Sequence, residues 1–146
     1  GSGRCSMNEW KATIMGPPIG KGRPRYSARG GHVRAYTPKK TAQWEAVAAS
    51  TLAASWSRPP LSCPVSVGIL ALFPRPQRMV WKRKAMEREP YIQKPDVDNV
   101  AKAVLDSMEK AGVMRDDKSV WSLDLIALYC DGSEAPRVEV RVGWTD

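Results

Sequence analysis

Between Pro95 and Gly112 the apolar residues Val97, Val100, Ala101, Val104, Leu105 and Met108 recur at i, i+3, i+4, i+7, i+8 and i+11. That period is helical, and a glycine just past it is a common left-handed stop. The spacing therefore predicts an amphipathic helix over 97–111 whose apolar stripe must be buried. The run "CPVSVGILALFP" (63–74), partly β-branched and closed by proline, predicts a central strand for it to pack on. "WKATIMG" (10–16) predicts a first strand ended by Gly16-Pro17-Pro18. "SVWSLDLIALYC" (119–130) and "RVEVRVGW" (137–144) predict two more, and the Asp131-Gly132 turn signal between them suits an antiparallel pair. A second helix is expected over 38–56, with Thr37 as cap and Pro38 in its first turn. Its buried face is predicted to carry Trp44, Val47, Ala48, Thr51, Leu52 and Trp56. The expected fold class is α+β: one compact domain over 1–146, a mixed or antiparallel sheet packed with two main helices.

A hydrophobic content of 42% in 146 residues is enough for one core. No run of about 18 apolar residues offers a membrane span, and "GSGRCSMNEW" lacks the apolar stretch of a signal peptide. A cytoplasmic location is therefore expected. Gly1-Ser2-Gly3 has the look of a cloning remnant, so residues 1–6 are left out of the fold reasoning. Cys5, Cys63 and Cys130 are odd in number and far apart, which argues for reduced thiols against a disulfide framework or a structural zinc site.

The formal charge of +8 is unevenly spread: residues 1–94 carry 17 Lys/Arg against 4 Asp/Glu, and residues 95–146 carry 6 against 11. Such asymmetry suggests a polyanionic partner for the first two-thirds of the chain, against the plainer reading of a solvated surface. "GKGRPRYSARGGHVRAYTPKK" (20–40) reads as an exposed loop or hairpin. It holds Lys21, Arg23, Arg25, Arg29, Arg34, Lys39 and Lys40 for phosphates, with Tyr26, His32 and Tyr36 for stacking on unpaired bases. A second basic stretch over 75–94 adds Arg78, Lys82, Arg83 and Lys84. The glycines around Lys21 do not make a nucleotide-binding P-loop: the spacing is one residue short, and Gly22 stands where a hydroxyl should reach magnesium.

Against that background, residues 94–117 gather six of the fifteen acids. Each has a structural role open to it. Asp96 is placed to cap the helix, Asp98 to complement its dipole or pair with Lys102, and Asp116 to hold a turn. If several converge instead, each carboxylate pair at about 4 Å costs about 4 kcal/mol at an effective dielectric of 20. Only a cation or a proton relieves that, and an oxygen-only set suits Mg²⁺ or Mn²⁺. A metal so held prepares phosphodiester hydrolysis, with Lys102 one turn past Asp98 available to the phosphate.

The pattern K-P-D-x-D-N-x-x-K at Lys94, Pro95, Asp96, Asp98, Asn99 and Lys102, then Asp106 and the Asp116-Asp117 pair, resembles the RusA-type Holliday junction resolvases of bacteria and their phages. "GPPIGKGRPRYSARGGHVRAYTPKKTAQWE" resembles that family's opening strand and basic loop. The resemblance implies a homodimeric, Mg²⁺-dependent endonuclease cutting four-way DNA junctions by paired nicks, in a bacterial or phage-derived setting. It implies Asp96, Asp98 and Asp117 as essential carboxylates, Lys102 as the essential lysine and Asp116 as an accessory metal ligand. The stretch 75–93 matches least well.

A helix over 97–111 is about 22 Å long, which sets Asp117 near the opposite end from Asp96 and Asp98. Either that helix is shorter or bent, or two protomers pair antiparallel and share the site. Two rival functions stay open: a non-catalytic DNA- or RNA-binding module, and a metal-dependent nuclease of broader taste for flaps or single strands.

Overall fold

The computed structural model describes residues 7–21, 25–27, 34–36, 39–81 and 85–145, with the backbone alone for 25–27 and 34–36. Among the described residues seven strands and two α-helices follow one another as β1 (Met7–Met15), β2 (Arg25–Ser27), β3 (Arg34–Tyr36), α1 (Lys39–Ser55), β4 (Val65–Phe73), β5 (Glu89–Pro90), α2 (Val97–Ala111), β6 (Val120–Tyr129) and β7 (Arg137–Thr145). The architecture is α+β, with a mixed five-stranded sheet in the order β1-β7-β4-β6-β5. β2 and β3 pair antiparallel in a separate hairpin within the first basic stretch.

β4 is central, as its apolar run predicts, with β7 antiparallel on one side and β6 parallel on the other. The expected antiparallel pairing of β6 with β7 does not occur, because β4 lies between them. Two physical reasons account for this. A parallel β4–β6 pair needs a long crossover, and the segment holding α2 supplies it. The link 130–136 then has to pass one strand, about 10 Å across the sheet, well within the reach of seven residues.

Both helices pack on one face of this sheet, where Ile14, Val67, Ile69, Val138, Val140 and Val142 meet Ala48 and Leu52 of α1 and Val100, Val104 and Met108 of α2. The other face carries Glu9, Lys11, Thr13, Asp124, Glu139 and Arg141 at partly or fully exposed positions, the polar alternates of the same strands. At one end of the sheet Trp56 makes edge contacts with both Trp10 and Trp144, at 5.1 and 5.4 Å between centroids.

Helix α2 matches its sequence signals closely. Asp96 is the N-cap, accepting the Asn99 N–H, and Gly112 closes the helix at φ +80°. Helix α1 is rotated from its expected face: Val47 is 61% exposed, while Thr41 and Glu45 are buried beside Ala48 and Leu52. An acid turns inward there because two lysines from elsewhere meet it. The Thr37-Pro38 start of this helix, like Cys5, lies outside the described residues; Cys63 and Cys130 are free thiols. No helix among the described residues is long and apolar enough to cross a membrane.

Glu134 organises the entry into β7. Its carboxylate takes Arg88, Arg137 and the Asp131 N–H. The Arg88 guanidinium, helped by that N–H, holds Glu134 down at about 2 from an ordinary 4.5. A pKa lowered by folding means stabilisation that is complete above about 4.5 and disappears as pH falls toward 2. Thermal melts between pH 6 and 2.5 should show this as roughly 1 kcal/mol of acid-sensitive stability, allowing for solvent screening, that is absent in Glu134→Gln.

Candidate functional site

The N-terminal end of α2 presents Asp96, Asp98 and Lys102, all exposed, with Asn99 partly buried between them. The approach to this end is pinned from two sides. On one, Tyr91 stacks on Phe73 at 3.6 Å between centroids, and its hydroxyl donates to the Lys94 carbonyl. On the other, Gly20 lies so close that an added Cβ would sit 2.3 Å from the Pro95 Cβ, and the Lys21 N–H donates to the Asn99 carbonyl at 2.9 Å. Asp98 and Lys102 form no ion pair among the described contacts, although four residues on a helix would allow one.

At the other end the chain turns at Gly112, buries Val113 and Met114, and bridges through Leu61, which donates to the Val113 carbonyl and accepts from Arg115. That brings residues 116–119 back against the last turn of α2. The Glu109 carboxylate accepts the Asp117 N–H at 2.6 Å, and Asp116 accepts the Lys118 N–H at 2.9 Å. Glu109, Asp116 and Asp117 each bring a carboxylate oxygen within 4.8 Å of the others.

Electrostatics separates the neighbours. The Lys118 N–H lowers the Asp116 pKa, whereas desolvation raises that of Asp117, reinforced by Asp116 and by the charge of Asp106. The two shifts differ in cause: a backbone donor stabilises the charge of Asp116, while that of Asp117 is disfavoured first by desolvation and then by its acidic neighbours. The donor set is oxygen only and part solvated, which fits a hard divalent cation such as Mg²⁺ or Mn²⁺.

Within one chain the acids therefore fall into two groups at opposite ends of a helix about 22 Å long. Asp116 and Asp117 come together with Glu109, and Asp96 and Asp98 do not join them. Sequence reasoning missed Glu109. It lies one turn before the helix stop, the place where the returning Asp116-Asp117 segment has to pass.

Of the basic candidates, Lys39, Lys40 and Arg78 are exposed. Lys21 is turned into the fold, where its ammonium group bonds Asp106 and lies 3.2 Å from Glu45. Arg23, Arg29, Lys82, Arg83 and Lys84 lie outside the described residues, as do His32 and the side chains of Arg25, Tyr26, Arg34 and Tyr36.

The chain thus combines a formal charge of +8 with an α+β fold and a carboxylate cluster at one end of α2. A family model described as "Endodeoxyribonuclease RusA" matches residues 15–143, and this chain belongs to that family. It is 34% identical over 139 residues to the uncharacterized protein YqaN of Bacillus subtilis (strain 168), covering 90% of this chain and 94% of that one. It is 24% identical over 135 residues to the crossover junction endodeoxyribonuclease RusA of Aquifex aeolicus (strain VF5), covering 92% and 93%.

Proposed function

We propose that this protein is a Mg²⁺-dependent, structure-specific endodeoxyribonuclease that resolves four-way DNA junctions by symmetric paired nicks, acting as a homodimer. The observation that carries the reading is the Glu109, Asp116 and Asp117 cluster in a chain of net charge +8. Family membership and the name of the Aquifex relative supply the substrate class. Asp96, Asp98 and Asp117 are the essential carboxylates in this reading, Asp116 and Glu109 complete the metal shell, and Lys102 contacts the phosphate.

Asp96, Asp98, Asp116, Asp117 and Glu109 would hold a divalent cation, which when bound would supply charge neutralisation at the scissile phosphate and a more acidic water. The chain's own part is to orient these groups and to bind the arms through its two basic stretches. One helix keeps the two acid groups far apart, so a complete site needs a second protomer. Antiparallel pairing of α2 about a two-fold axis sets Asp117 of one chain beside Asp96 and Asp98 of the other, and two such sites suit paired nicking.

Mixing Asp96→Asn and Asp117→Asn protomers tests the arrangement. Each variant alone is expected to be inactive, whereas the mixed dimer regains one intact centre and nicks one strand of a labelled junction. No recovery at any ratio removes the shared site. Tight junction binding without nicking by wild type in Mg²⁺ or Mn²⁺ leaves a binding module, and equal cleavage of flaps and single strands at matched salt leaves a broader nuclease.

A further inference from the structure

Lys21 belongs by sequence with the phosphate-binding lysines, yet it is the most engaged cation near α2. Its N–H is bonded to the Asn99 carbonyl at 2.9 Å, and its ammonium reaches Asp106, seven residues further along the same helix. It also meets Glu45 of α1, a fully buried carboxylate whose other oxygen is held by Lys110 of α2. Lys21 thus lies along two turns of α2 like a strap, and one side chain joins the loop after β1 to both helices. Burial disfavours its charged form, but the bonds to Asp106 and Glu45 outweigh that and raise its pKa, so it stays a cation.

The end of the strap is placed where it matters. Asn99 stands in the turn that carries Asp96 and Asp98, and Gly20 closes on Pro95 with no room for a side chain. Moving Lys21 off Asp106 would free the loop that presses on the Lys94-Pro95-Asp96 entry. An ammonium group bonded to Asp106 and ion-paired with Glu45 at 3.2 Å, with a side chain 26% exposed, is moreover a poor phosphate ligand.

We propose that Lys21 is a positioning residue: it straps the loop after β1 along α2 and so fixes the end of the helix that presents Asp96 and Asp98, without itself contacting DNA. The proposal rests on the nuclease reading for what is positioned. Its readouts are divided so that the two can fail separately.

The experiment compares wild type, Lys21→Met, Lys21→Arg and Asp106→Asn on one labelled four-way junction. Binding is measured in EDTA across a salt series and single-turnover cleavage in Mg²⁺, with thermal melts to confirm folding. Lys21→Met is expected to keep its affinity and salt slope while cleavage slows by at least about tenfold, as misplacement of reacting groups does. Lys21→Arg, which keeps the charge, is expected to recover most of the rate. A lysine that contacts phosphate would instead make the log–log salt slope shallower by about 0.9, which overturns the proposal.

Should Lys21→Met melt below the assay temperature, Asp106→Asn cuts the same strap from its other end. The double variant is expected to lose no more than the worse single, because both break one contact. Multiplied losses, or an unchanged rate in every variant, also overturn it. Wild type that nicks no junction removes the nuclease reading, and the salt slope then decides alone whether Lys21 is a phosphate contact.

Discussion

Asp117→Asn is expected to lower single-turnover cleavage of a four-way junction by roughly a thousandfold, about 4 kcal/mol of barrier, while junction affinity in EDTA changes little or rises. The reasoning starts from charge. Asp117 is exposed, its carboxyl oxygen lies within 4.8 Å of those of Glu109 and Asp116, and its pKa is raised by desolvation and then by Asp116. An amide of the same shape keeps the turn, since Glu109 bonds the backbone N–H of residue 117 and not its side chain. What it removes, in the proposed site, is one of the anionic donors that would hold a hard cation. Binding to DNA has the opposite dependence, because a carboxylate near the phosphates repels them. Gel-shift affinity and cleavage rate should therefore separate. A variant that loses both together would place Asp117 in folding instead of chemistry.

The largest loss of stability is expected from a residue inside the second basic stretch that is not available to DNA. Arg75 has a side chain only 5% exposed, and its guanidinium donates to the carbonyls of Cys130 at 2.7 Å, Met79 at 3.1 Å and Glu87. It also faces Glu89 at 3.7 Å and lies over the Trp81 ring at 5.2 Å. Replacing it with alanine leaves those carbonyls without their donor and opens the space the side chain filled. Arg75→Ala should cost about 3 kcal/mol, of the order seen when one partner of a buried charged network is removed. For a domain of this size that corresponds to about 10 °C in Tm, measurable by calorimetry. Arg75→Lys is expected to recover little, because a point charge cannot reach three carbonyls from one position. The neighbouring Arg78 is exposed and should change Tm hardly at all when truncated, although the two arginines look alike in the sequence.

That contrast shows what the sequence could and could not convey. The stripe from Val97 to Met108, the Asp96 cap and the Gly112 stop were legible because each is decided within a few residues of itself. The central place of β4 followed from its continuous apolar run. The position of β7 did not, since its alternation fits any place in a sheet with one covered face, and the choice was made by β4 needing partners on both sides. The inward turn of Glu45 depends on Lys21 and Lys110, 24 and 65 positions away, and no periodicity reports such a pairing. Of the candidate site, the acids of the Lys94–Lys102 pattern and the Asp116-Asp117 pair could be picked out by spacing. Glu109 could be found only once the chain after Gly112 was seen to fold back on the helix.

Helix α2 holds its two acid groups at a fixed separation and also at a fixed rotation. Each added residue advances the far end by about 1.5 Å and turns it by about 100°. A single insertion between Asp98 and Glu109 would keep a helix that packs imperfectly but still forms, while swinging Glu109 and the returning Asp117 a quarter-turn or more around the axis. Substitutions along the exposed side of α2 should be cheap and changes in its length should not, so the helix functions as a measuring rod whose calibration is its residue count.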